Sequence, residues 1–93
     1  MSQISIIDAK TWSLSGELSF TTVTSLLAEF EQSSSLPRIV DLKEITRTDS
    51  AGLALLIEFL KQSQKSSLIF QNIPEQMLNL ANVSGVQDML TQI

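Results

Sequence analysis

The feature that most constrains this chain is a long helical pattern set between two short apolar runs. "RIVDL" (Arg38–Leu42) and "SSLIF" (Ser66–Phe70) are nearly continuous apolar stretches of strand length, the pattern of strands covered on both faces. Between them, from Ser50 to about Gln64, "SAGLALLIEFLKQSQ" repeats apolar residues at helical spacing. A strand, a helix and a second strand imply a parallel crossover, because only a crossover returns the chain to the same end of the sheet. The same order occurs once upstream. "KTWSLSGEL" alternates Trp12 and Leu14 with Ser13 and Ser15 as a strand does, and Thr21–Gln32 sets Val23, Leu26, Leu27 and Phe30 on one helical stripe, with Glu29 and Glu31 off it. "SSSLPR" reads as the loop that follows, with Pro37 holding Leu36 extended at the start of the next strand.

The flanks complete the pattern. "QISIID" alternates Ile4 and Ile6 around Ser5, and "DAK" is the expected bend of an antiparallel pair with the next strand. Gly16 is expected to break that second strand, in a turn or a bulge. Downstream, Pro74 suits a first helical position before the stripe Met77, Leu80 and Ala81, and Ser84–Gly85 marks its stop. Val86, Met89, Leu90 and Ile93 space out a short capping helix. The order is β-β-α-β-α-β-α-α. With both crossovers right-handed, it predicts an α/β protein with a four-stranded mixed sheet flanked by about four helices. The 93 residues suit one domain, 1–93.

Composition excludes whole classes of chemistry. There is no cysteine and no histidine, so disulfides, thiol nucleophiles, Cys/His zinc sites and histidine-based triads are not available. The three glycines, Gly16, Gly52 and Gly85, are too far apart to make a phosphate cradle. A net charge of −4 is wrong for nonspecific nucleic-acid binding and for an acidic membrane face. The first residues lack a basic, apolar-centred leader, and the longest apolar run, "AGLALLI", is far short of a bilayer span, so a soluble cytoplasmic protein is expected, without membrane insertion. Asp41, Asp49 and Ser50 resemble a carboxylate–hydroxyl site only superficially: no lysine is placed to act as a base for Ser50, and a strand end and a helix cap explain the two aspartates. No catalytic residue, metal site or cofactor is expected.

The region around Ser50 is the place to look for function. At about 100° per residue, Leu53, Leu56, Ile57 and Leu60 fall in one arc that should face the sheet, with Gly52, Leu55 and Phe59 on its flank, Leu55 and Phe59 as core rim. The opposite side begins with Ser50, Ala51 and Ala54, then reaches Glu58 and Lys61. A hydroxyl and two methyls on an exposed face let another backbone come close. Asp49 or Ser50 can cap the helix through a side-chain oxygen, and the helix dipole favours the aspartate. Gly52 costs a helix about 1 kcal/mol against alanine, so either the sheet or a partner should approach it closely.

These residues carry a family resemblance. "TDSAGLALL" resembles the signature of STAS domains, the sulfate-transporter and anti-sigma-factor-antagonist fold, and "LSGELSF" and "RIVDLKEITRTDSAGLALL" stand at the separation that family shows. The likeness covers nearly the whole chain and implies the STAS fold. It further implies that Ser50 opens the second helix, lies in the partner-binding surface and is a possible phospho-acceptor, with Asp49, Gly52 and Leu53 at flanking motif positions. Two branches of the family fit. One supplies the cytoplasmic, non-catalytic subunit of an ABC transporter that maintains outer-membrane lipid asymmetry by moving phospholipids. There the partner is the ATPase subunit and, through it, the membrane permease at the inner membrane. The other is the free anti-sigma factor antagonist, whose partner is a kinase acting on Ser50. Ala51 stands where antagonists often have a second serine, which favours the transporter branch. The interface expected on this likeness comprises Arg47, Asp49, Ser50, Ala51, Gly52, Ala54 and Glu58. The loop "KEITRTD" precedes it, with Lys43 and Glu44 at the rim.

Overall fold

In the computed structural model, residues 3–33, 37–63 and 68–91 are described. The elements run β1 (Gln3–Ile6), β2 (Thr11–Leu18), α1 (Val23–Gln32), β3 (Ile39–Thr48), α2 (Ser50–Gln62), β4 (Ile69–Gln71), α3 (Glu75–Val83) and α4 (Gln87–Thr91). Their order and type match the expectation. The loop at 34–36, the helix end at Gln64, the start of "SSLIF" and Ile93 lie outside the described residues.

The strands lie in the order β1-β2-β3-β4. β1 pairs antiparallel with β2, and β2–β3 and β3–β4 are parallel. Each crossover moves one strand in the same direction, so right-handed connections place α1 and α2 on the same face of the sheet. Accordingly α1 packs beside α2, and α2 beside α3. The side chains show the result. Trp12, Leu14, Leu18, Val40, Leu42 and Phe70 point into a core closed by Leu26 and Phe30 of α1, Leu56 and Phe59 of α2, and Met77 and Ala81 of α3. Ile39 and Asp41, one residue out of phase, are half-buried, and Ile69 is 46% exposed. The two apolar runs are therefore covered by helices on one face, not on both.

Two sequence expectations change in the strands. Gly16 does not end β2, which continues to Leu18. It sits in a bulge at φ 85°, a backbone conformation that favours glycine, beside a register shift against β3. The stretch expected as a loop before Ser50 is strand. β3 runs on to Thr48, and Ser15, Gly16, Glu17 and Leu18 pair with Glu44, Ile45, Arg47 and Thr48. A polar, alternating sequence reads as loop when the partner strand is unknown. Here β2 is long enough to pair with it.

The aromatic side chains bind the helices to the sheet. Phe30 and Phe59 stack with centroids 4.1 Å apart, and Trp12 meets Phe30 edge-on at 5.7 Å. At the far end of the sheet, Asn72 closes the turn after β4 at φ 54° and donates to Asp41 Oδ1 at 3.0 Å. Burial draws the Asp41 carboxyl upward, but the Asn72 amide, the Lys43 N–H and the Lys43 charge outweigh it and hold the group below its ordinary value. Pro74 is the N-cap of α3, one residue earlier than expected, and Gly85 supplies the left-handed stop at φ 75°.

Candidate functional site

The start of α2 is assembled from three segments. Asp49 is the N-cap, and its Oδ1 accepts the Ala51 N–H at 2.8 Å. The Asp49 N–H donates to Leu18 O at 3.1 Å, which ties the junction to the end of β2. Asp49 Oδ2 accepts the Phe20 N–H at 3.4 Å, so the same carboxylate also anchors the turn before α1. That turn is held locally by Thr22, whose Oγ1 accepts the Ser19 N–H at 2.9 Å and donates to Glu17 O at 2.8 Å. Because Asp49 does the capping, the Ser50 side chain is left exposed at the first helical position, and no hydrogen bond to its hydroxyl is seen among the described residues.

The expected interface residues separate into two groups. Asp49, Ser50 and Ala54 are exposed, and Ala51 and Glu58 are half-buried on the same side of α2. Gly52 is buried on the other side. A Cβ there would collide with Thr48 Oγ1 and stand 2.9 Å from Leu18 Cβ and 3.0 Å from Leu18 O. The close neighbour of Gly52 is therefore the sheet. Arg47 is exposed on β3, opposite Glu17, and borders a notch of about 50 Å³ with Ser19, Thr48 and Asp49. Lys43 and Glu44 are exposed on the same strand, further from Ser50.

Beside the small face lies a groove of about 460 Å³ between α1 and α2. Ala51, Ala54, Leu55 and Glu58 form one wall, and Phe20, Val23, Thr24 and Leu27 form the other. Glu58 is the one charged residue among the described groove-lining residues. Phe20 is 82% exposed, although hydrogen bonds of Ser19, Thr22 and Asp49 fix the turn that carries it. A large apolar side chain held in water on a rigid turn is the composition of a binding hot spot. Sequence reasoning missed this wall. The available signal was that Phe20, Val23, Thr24 and Leu27 fall at i, i+3, i+4 and i+7, a second edge of the α1 stripe that begins before the helix.

The family model described as Mlab, STAS domain, matches residues 8–91. The chain belongs to this MlaB-type STAS family. A curated relative, the intermembrane phospholipid transport system binding protein MlaB of Haemophilus influenzae, is 32% identical over 91 residues, covering 89% of this chain and 87% of the relative. A chain of the Acinetobacter MlaFEDB complex in an ATP-bound conformation is 31% identical, with a TM-score of 0.71 over 95% of this chain and 96% of that one. The unphosphorylated anti-sigma factor antagonist SpoIIAA is similar in fold, with a TM-score of 0.73 over 98% of this chain and 86% of that one, at 15% identity. In this chain the fold places a small-residue helix start, a largely apolar groove and an exposed aromatic on a hydrogen-bonded turn side by side. Among the described residues, no helix is long and apolar enough to cross a membrane.

Proposed function

We propose that this chain is a non-catalytic STAS subunit of a phospholipid-transporting ABC complex, and that it docks on an MlaF-like ATPase subunit. Through that subunit it reaches the permease, on the cytoplasmic side of the inner membrane. The likeness to the Haemophilus and Acinetobacter proteins supports the assignment to this transporter class. The observation that carries the docking site is the α1/α2 groove, which opens on the same side of α2 as Ser50, Ala51 and Ala54. An apolar side chain of the ATPase subunit enters the groove, and its backbone approaches the small face. The Ser50 hydroxyl can donate and accept at the contact. Asp49, Glu58 and Arg47 stand at its rim, where charge tunes specificity and association rate.

Titration calorimetry with the purified ATPase subunit tests this. Ser50→Asp places a second charge beside Asp49 within the contact and is expected to weaken binding at least about tenfold, because a desolvated charge without a partner is costly. Ser50→Ala has a smaller effect if Ser50 only packs and a larger one if it forms a hydrogen bond. If both variants bind as tightly as the unsubstituted chain, Ser50 is not in the interface.

A second reading is favoured by one observation, the exposed Ser50 hydroxyl that the cap leaves free. In that reading the chain is an anti-sigma factor antagonist, and a kinase adds about two negative charges at Ser50, which the helix N-terminus tolerates and an apolar partner surface does not. Intact-mass measurement on protein from native cells decides. The absence of a phosphorylated species across growth conditions counts against it.

A further inference from the structure

β4 is short and pairs with β3 only from Ile39 to Asp41. Among the described residues, the end of β3 that leads to Ser50 therefore has a strand neighbour, β2, on one edge and none on the other. A side chain from α3 fills part of that open edge. The Thr48 N–H donates to Gln76 Oε1 at 3.3 Å. Next to it, the Thr48 hydroxyl lies 4.0 Å from Met77 Sδ and donates to Asp49 O at 3.3 Å, and it is the atom a Cβ on Gly52 would strike. Thr48 is buried, and only Asp49 separates it from Ser50. The junction is gripped from both sides: Leu18 O accepts the Asp49 N–H from β2, and Gln76 accepts the Thr48 N–H from α3.

We infer that Gln76 is a positioning residue for the docking face: by accepting the Thr48 N–H it fixes the end of β3, the backbone that leads into Ser50. Gln76 is itself exposed and lies outside the α1/α2 groove, so it is not expected to touch a partner seated there. Its contribution is to hold the Asp49–Ser50–Ala51 backbone in one place before the partner arrives, which lowers the ordering cost of binding. Without the acceptor, the Thr48 N–H loses its partner at this edge, and the hold from α3 falls to the contact of the Thr48 hydroxyl with Met77.

The inference rests on the docking function proposed above, and two substitutions separate them. Gln76→Met keeps the length of the side chain and removes the acceptor, whereas Gln76→Glu keeps an acceptor oxygen. In Gln76→Met, amide exchange at Thr48 and Asp49, whose N–H groups are bonded to Gln76 and Leu18, is expected to accelerate, and affinity for the ATPase subunit to fall about fivefold to tenfold, the scale of one lost hydrogen bond. Gln76→Glu is expected to restore both. Unchanged exchange in Gln76→Met, or a Gln76→Glu variant as impaired as Gln76→Met, overturns the inference. If the unsubstituted chain does not bind the ATPase subunit, the docking function falls and the exchange rates alone decide: faster Thr48 and Asp49 exchange in Gln76→Met, reversed in Gln76→Glu, upholds the positioning role.

Discussion

At single positions, the start of α2 divides its tasks among neighbours, and each task suits its residue type. Asp49 caps, Ser50 is presented, and Gly52 permits contact with the sheet. The sequence showed that a cap stood here and that Gly52 had a close neighbour, but it left open which oxygen capped and what the neighbour was. Both questions turn on Leu18, more than thirty residues away in the chain, which receives the Asp49 N–H and lies over Gly52. Gly52→Ala is therefore expected to destabilise. Alanine gains about 1 kcal/mol in helix propensity. The added methyl meets a buried threonine, braced by Met77, and a backbone carbonyl already engaged by Asp49, and neither moves freely. Overpacking of this kind costs about 1–3 kcal/mol, so the net loss should be visible as a lower urea midpoint with an unchanged slope. A midpoint equal to or above that of the unsubstituted protein disproves the close contact.

At the scale of elements, the helix α2 was legible in existence and length but not in rotation. The apolar count centres its buried arc near Leu53 and Leu60. The buried residues are Gly52, Leu53, Leu55, Leu56 and Phe59, an arc turned by about 80°. Ile57 and Leu60 are only half-buried. The reason is the neighbour: α1 lies against the Leu55–Phe59 side and inserts Phe30 there. A hydrophobic count cannot tell which side of an apolar stripe a second helix will cover. The strand β3 was underestimated for a related cause, since its polar second half is ordered by pairing with β2. Phe59 thus belongs to the centre of the core, and Phe59→Ala should cost about 3–5 kcal/mol, the range for emptying a large buried site. Loss of the Phe30 stack adds to this, and thermal unfolding measures the sum. A cost below about 1 kcal/mol would place Phe59 at the rim, where the periodicity had put it.

For the whole molecule, the topology follows from the order of the elements and the groove does not. Two right-handed crossovers stepping the same way put the helices on one face, and adjacent helices on a sheet leave a furrow between them. Whether the furrow is filled depends on side-chain size on both walls. Here α2 offers Ala51 and Ala54, α1 stops at half-buried Val23 and Leu27, and the furrow stays open. Phe20 stands over its end from a turn whose backbone Asp49 and Thr22 hold in place, so no loop has to reorganise to present the ring. Such an anchor spares the backbone share of the ordering cost of binding, and it contributes nothing to the core. Phe20→Ala is expected to weaken association with the ATPase subunit by about 2 kcal/mol or more, roughly thirtyfold, the range of a hot-spot aromatic. The melting temperature of the isolated chain should stay within experimental error, because an 82% exposed ring buries little on folding. Both are read on one preparation, by calorimetry and by thermal unfolding. A loss of stability that matches the loss of affinity would make Phe20 a structural residue. Unchanged affinity would leave the groove without a role in docking.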